Sequence, residues 1–284
     1  MHDIHYNNIM NNNINALLDD FAETAGAPEK QLRAFLAAGK SVVGLLPYFC
    51  PEEIVYAAGM IPFGLWGADR RVSEARRYFP AFICSILQTV LEQGILGELA
   101  GLRAVLIPVS CDSLKGLQSN WDSAVKDVPF IAAAQAQNRK TPAGIEFTAS
   151  QYRKIGDELA RLGGEKPADE RVREAIRLYN RKRKAQRGFA DAAGKRPDLV
   201  SPAQRSAVLK SAYYREVLPY TEQVETLTRL LLDAPAESAA DGVSGAWVRI
   251  VTTGIVCDAL PLLRIFGENR IVIAGDQVSQ ESVS

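Results

Sequence analysis

Apolar residues recur along this chain with two alternating periods. Short β-branched or apolar runs predict strands at Ser41–Leu46, Pro62–Trp66, Leu102–Val109 and Val128–Ala134. Between them the apolar positions fall at helical spacing, most clearly in Phe82–Gln93, where Ile83, Ile86, Leu87, Val90 and Leu91 share a face. Further helices are predicted around Leu17–Ala25, from Pro28 to a stop at Gly39, from Pro51 to Gly59, and over Glu146–Leu162. Asp112 or Ser113 is placed to cap the helix after Leu102–Val109. Strands alternating with helices predict an α/β fold with a parallel, doubly wound sheet.

Beyond Gly163 the pattern changes. Residues 168–194 form a helical stretch dense in Arg and Lys, read as the solvated helix of a connector or as a docking face for a partner or a phosphate-bearing ligand. More helix follows to Leu232, and strands at Trp247–Thr252 and Arg270–Ala274 then flank a helix at Asp258–Phe266. Two strands and one helix do not bury both faces of a parallel sheet. This piece is therefore expected to pack on the first domain or on another chain, or else the reading frame is truncated. The expected organisation is a leader and helix in 1–40, a first α/β domain in 41–162, a helical connector in 163–240 and a partial second α/β domain in 241–284.

Composition narrows the function. Hydrophobic content of 47% with 23% charged residues suits an ordinary globular protein, and 33 basic residues cancel 33 acidic ones, so no overall field recruits nucleic acid or an anionic membrane. No apolar run reaches the ~18 residues of a membrane span. The Asn-rich start lacks the basic and apolar regions of a signal peptide, so a cytoplasmic location with reduced thiols is expected, and four cysteines are too sparse for a disulfide framework. Both histidines, His2 and His5, lie in the leader. A His-activated nucleophile, a His-ligated zinc and a His general base are thereby disfavoured, which leaves Cys, Asp, Glu, Lys, Tyr or a bound cofactor. Neither G-x-G-x-x-G after a strand nor G-x-x-x-x-G-K-[ST] occurs.

Cys50, Cys84 and Cys111 each precede, or open, a predicted helix. Cys84 falls in the first turn of its helix and Cys111 follows a strand, so both can point into the crevice outside the carboxyl ends of the sheet, where a helix N-terminus favours a thiolate. The alternative is that they are small buried hydrophobes. Thiolates from separated loops hold iron–sulfur clusters, but a cubane asks for four, so two cysteines do not complete one. Cys50 either contributes or packs, and Cys257 is the weakest candidate. Glu52 and Glu53 sit at a helix start, where a carboxylate complements the dipole whether or not it has chemistry to do. Trp66, Arg70 and Arg139 suit a ligand channel or ordinary packing equally.

The runs PYFCPEEIVYAAGMIPFGLWG, YFPAFICSILQTVLE, LIPVSCDSLKGLQSNW, PFIAAAQAQNRK, GIEFTASQY and VRIVTTGIVCDALPLLRIFGENRIVIAGDQVSQES cover nearly everything after residue 40. In that order they resemble the 2-hydroxyacyl-CoA dehydratase family, D component, which also includes benzoyl-CoA reductase subunits. The likeness is strongest to the small subunit of the 2-hydroxyglutaryl-CoA type. The resemblance implies flavodoxin-like α/β domains with helical additions, a heterodimer of two related subunits, a [4Fe-4S] cluster, and a separate ATP-hydrolysing iron–sulfur activator that injects one electron. It implies dehydration of an (R)-2-hydroxyacyl-CoA to an enoyl-CoA through a ketyl radical anion. Cys84 and Cys111 match two cluster ligands, and Glu53 matches a residue near the substrate suited to proton transfer. A third family cysteine comes from a KFCDP-like motif absent up to Ser284, and the tail GDQVSQESVS departs at Val283 from the family's DDLAQESRQF. A truncated or frameshifted reading frame is the expectation, with a benzoyl-CoA reductase-type subunit and a non-catalytic scaffold as the alternative functions.

Overall fold

A computed structural model describes residues 2–46, 49–235 and 246–281, with residues 2–9 as backbone only. The boundary expected near residue 240 and the tail after Glu281 lie outside the described residues. In chain order the elements are α1 (His2–Gly26), α2 (Pro28–Ala37), β1 (Val42–Leu45), α3 (Glu52–Ala57), β2 (Ile61–Gly64), a 3-10 turn (Ala75–Arg77), α4 (Ser85–Ile95), β3 (Ala104–Pro108), α5 (Asp112–Ala124), β4 (Phe130–Ala133), α6 (Pro142–Arg161), α7 (Asp169–Lys195), α8 (Pro202–Ser211), α9 (Val217–Asp233), β5 (Val248–Gly254), α10 (Leu260–Glu268) and β6 (Ile271–Val278). They form two compact units, Leu32–Arg177 and Met1–Gln31 with Leu178–Ser284.

In the Leu32–Arg177 unit, four parallel strands stand in the order β2-β1-β3-β4, with Val42 opposite Ile61, Val43 opposite Ala104 and Val105 opposite Phe130. The pleat divides the strands between two layers. Val43 and Leu45, Ala104 and Leu106, and Ile131 and Ala133 pack with Ile54 and Val55 of α3, Ala58 at its C-cap, and Ile155 and Leu159 of α6. The alternate residues therefore face the other layer, where α5 contacts β3 and β4 and α4 packs on α5. Helices on both faces explain why β1 and β3 are apolar throughout and buried at every position. This is the expected doubly wound α/β architecture, in the flavodoxin-like order.

The second unit is built on helices. Met10, Ile14, Leu18, Phe21 and Ala25 are spaced by three or four residues, and all are buried. That stripe packs on α8 and α9, with the rings of Phe21 and Tyr220 edge to face at 5.9 Å. The helix thus extends back to His2 through the Asn-rich leader, whereas Leu17–Ala25 alone was expected to be helical: from Met10 on, burial of one face outweighs the low propensity of Asn11, Asn12, Asn13 and Asn15 on the other. β5 and β6 pair in parallel, with a bulge between Ile250 and Val251. Both strands are longer than the sequence pattern predicts. β5 is exposed along most of its length, Val251 at 73%, in keeping with a sheet too small to cover itself.

Along helix α7, Arg171, Arg173, Arg177, Arg181, Lys184 and Arg187 are exposed, whereas Lys182 is buried. Ala175, Tyr179, Lys182, Gln186 and Phe189 form a buried stripe along it, while Arg171, Arg173 and Arg177 pair with Glu165 and Glu170, and Arg181 with Glu225.

Candidate functional site

The chain leaves β1 and β3 toward opposite faces of the sheet, so the carboxyl ends of these neighbours open the crevice where sheets of this order bind ligands. Phe49, Cys50 and Pro51 follow β1, and Ser110 and Cys111 follow β3. Phe49 has φ 58°, a left-handed conformation that costs an aromatic residue about 1–3 kcal/mol. Two groups hold it there: Gln135 Nε2 donates to its carbonyl, and the Arg139 guanidinium lies 5.3 Å from the centre of its ring.

Beside Phe49 lies a pocket of about 450 Å³ lined by Cys50, Pro51, Glu53, Gln135, Arg139, Ile145, Thr148, Ala149 and Tyr152. Its walls are mainly apolar, with a few convergent polar groups, which is the usual make-up of a small-ligand site. Glu53, in the first turn of α3, is half-buried and faces this space. Gln135 Nε2 also donates to the Tyr152 hydroxyl at 2.9 Å. Burial pushes the Tyr152 phenol up, the Glu53 carboxylate adds to the rise, and Arg139 opposes it. The Cys50 sulfur is turned to the Leu106 carbonyl at 3.6 Å, and burial followed by the Glu52 charge pushes this thiol up. Cys50 is therefore a protonated packing thiol at neutral pH.

Cys84 and Cys111 differ from Cys50 in being exposed. Each occupies the N-cap of its helix, α4 and α5, and neither side chain makes a capping bond. Cys84 thus stands one position before the helix whose first turn it was expected to occupy, and Cys111 takes the cap position assigned to Asp112 or Ser113. Both helices start at the carboxyl edge of the sheet and pack side by side. Close to their far ends Gly94 leaves room for Trp121 and Val125, whose side chains would stand 3.0 and 2.8 Å from an added Cβ. Among the described residues no group of three or more His, Cys, Asp or Glu is gathered to hold a metal. Thiolates are soft donors of the kind iron takes, and two of them are half of what a four-thiolate cluster needs.

Sequence reasoning missed Gln135, Thr148, Tyr152 and Glu92. The first three converge only through the packing of α6 against β4. Glu92 is 1% exposed and accepts from Ser73 N–H (3.0 Å), Ser73 Oγ–H (2.7 Å), Glu74 N–H (3.2 Å) and Ala75 N–H (2.8 Å). Burial would raise its carboxyl, but the Ser73 hydroxyl and three backbone donors prevail and hold it at about 2. Of the two other residues weighed as channel-lining, Trp66 is buried and Arg70 pairs with Glu98 at 2.6 Å.

Residues 47–283 match the family model for the 2-hydroxyglutaryl-CoA dehydratase, D-component. The chain belongs to that family. Its relatives include the (R)-phenyllactyl-CoA dehydratase beta subunit of Clostridium sporogenes, 39% identical over 95% of this chain and 71% of the relative. The (R)-2-hydroxyglutaryl-CoA dehydratase beta subunit of Acidaminococcus fermentans is 36% identical over 95% of this chain and 70% of its own length. A benzoyl-CoA reductase subunit of Thauera aromatica is 25% identical over 87% of this chain and 62% of its own length. In this D-component chain, as in the sequence expectation, no helix among the described residues is long and apolar enough to cross a membrane.

Proposed function

We propose that this chain is one subunit of a heterodimeric dehydratase that removes water from an (R)-2-hydroxyacyl-CoA, with Cys84 and Cys111 as two ligands of a [4Fe-4S] cluster. The observation that carries the reading is the pair of exposed, non-capping thiols at the starts of two adjacent helices beside the β1/β3 crevice. The relatives named as dehydratase beta subunits support the reaction class, and their higher identity favours it over ring reduction of the benzoyl-CoA reductase type. A cluster held by Cys84 and Cys111 would supply reversible one-electron chemistry, with an ATP-dependent iron–sulfur activator as the source of the electron.

Dehydration removes hydroxide from the hydroxyl-bearing carbon and a proton from its neighbour, with no net oxidation. Glu53 is the base for that proton, since it is the carboxylate lining the pocket and the described pocket contains no histidine. Tyr152, fixed by Gln135, orients the acyl group through its hydroxyl, and the apolar walls of Pro51, Ile145 and Ala149 exclude water from it.

Purification without oxygen, together with the second subunit and the activator, tests this. Iron and sulfide on this chain, lost in Cys84→Ser and in Cys111→Ser, with water eliminated from (R)-phenyllactyl-CoA and no ring reduction of benzoyl-CoA, is the expected result. A double serine variant with undiminished iron sinks the ligand assignment, and a wild-type chain that joins the complex without iron makes it a scaffold.

A further inference from the structure

The connection from β2 to α4 runs from Leu65 to Cys84 with one 3-10 turn as its only regular structure. Loops of more than about 12–15 residues without their own elements are uncommon in compact domains and are usually functional. This one is tied down in three places. Near its start the Ala68 N–H donates to Thr89 Oγ1 at 3.3 Å, and Gly67, at φ 80°, leaves no room for a Cβ against the same hydroxyl. At its middle Ser73, Glu74 and Ala75 direct four donors to the Glu92 carboxylate. Toward its end Asn120 Nδ2 of α5 donates to the Tyr78 carbonyl at 2.9 Å.

Thr89 and Glu92 are three residues apart and share one face of α4, and Cys84 is the cap of that helix. The loop is therefore fastened in its first half to the helix that it enters at Cys84. Burying a carboxylate is costly without full hydrogen bonding, and here the charge is taken up by successive backbone amides. Nearby Arg70 feels the Glu92 charge but spends its own on Glu98. An amide at position 92 would keep one acceptor oxygen and turn an NH₂ group toward the other donors.

We propose that Glu92 is a positioning residue for Cys84: by clamping Ser73–Ala75 onto α4 it fixes the loop that delivers this thiol to the metal. The inference rests on the reading of Cys84 as an iron ligand. In the full chain reconstituted with iron and sulfide, Glu92→Gln is expected to release iron to a chelator about tenfold faster than wild type, the lower range for loss of a group that orients a ligand. Hydrogen exchange at Ser73–Ala75 is expected to accelerate with it. Ser73→Ala, which removes one hydroxyl donor from an exposed residue, is expected to show a smaller acceleration of both and keeps the test usable should Glu92→Gln fail to fold. Leu159→Ala, which opens the α6 side of the core, is expected to lower the melting temperature while leaving the iron-release rate at the wild-type value.

Release at the wild-type rate from both Glu92→Gln and Ser73→Ala, or equal acceleration by Leu159→Ala, would overturn the positioning role. Iron retained in Cys84→Ser marks failure of the ligand reading itself. Iron lost in Cys84→Ser but firmly held in Glu92→Gln marks failure of the positioning role alone.

Discussion

Arg205 offers the sharpest test of how the second unit is held together. Its side chain is 3% exposed and lies between Asp276 (2%) and Glu281 (1%), one guanidinium arm on each carboxylate. One cation against two buried carboxylates leaves an excess of negative charge, and burial accordingly raises the Glu281 carboxyl above its ordinary 4.5 while Arg205 pulls it back. Replacing Arg205 with Met keeps most of the volume but takes the cation away from two buried carboxylates, which costs about 3–5 kcal/mol for a broken buried pair. At roughly 3 °C per kcal/mol this is a fall of about 9–15 °C in melting temperature. Glu281→Gln goes the other way. A raised carboxyl stabilises the fold below its unfolded value, and that contribution is lost as pH rises through the folded value. Removing the charge therefore leaves stability at pH 4 almost unchanged and raises it at pH 8, since Asp276 still neutralises Arg205. Urea unfolding followed by far-UV circular dichroism at both pH values measures each effect. An Arg205→Met cost below about 1 kcal/mol, or a Glu281→Gln variant less stable at pH 8 than wild type, would refute the assignment of a buried, over-charged cluster.

Three further outcomes follow from the first unit. Glu92, held at about 2 against an ordinary 4.5, contributes stability above pH 4.5 that disappears as pH falls toward 2; with Ser73 and Glu74 near solvent the loss is about 2 kcal/mol, and Glu92→Gln should flatten the acid limb of a pH-stability curve. Gly144→Ala drives a methyl into the Asn138 carbonyl oxygen, so it should cost about 1–3 kcal/mol, read by calorimetry, and, on the proposed function, weaken acyl-CoA binding by displacing Arg139 and Ile145, read by substrate titration. On the proposed cluster, Cys50→Ala should leave iron content unchanged, because its thiol is turned to the Leu106 carbonyl; a loss of iron would make Cys50 a ligand.

The fold was legible wherever burial imposes a period on the sequence. β1 and β3 read as continuous apolar runs because helices cover both their faces, and the cysteines read as helix starts because strand-to-helix turns have recognisable ends. The cap position was missed by one residue, since Asp112 and Ser113 have cap chemistry and Cys111 does not. α1 was under-read because its buried stripe, from Met10 to Ala25, is diluted by asparagines that face away. Glu92 left no signal, because a charged residue near the end of an amphipathic helix ordinarily faces water; only a loop folded back on it reveals that the carboxylate is enclosed. The convergence of Gln135, Tyr152 and Glu53 depends on strand order, which no local pattern encodes.

The exposed flank of β5 bears on how this chain behaves during synthesis. Among the described residues β5 pairs only with β6, and Val248 and Val251 on the strand, with Leu260, Leu262 and Ile265 on α10, remain open to solvent. Natural proteins shield such edges with charge, proline or a bulge because an open strand invites pairing with another polypeptide. Here the bulge at Ile250/Val251 interrupts the ladder, and Arg249 is turned to the Gly194 carbonyl. A chain with this flank uncovered is an aggregation hazard at high expression, and its yield of dispersed protein will depend on how soon that strand meets its companion.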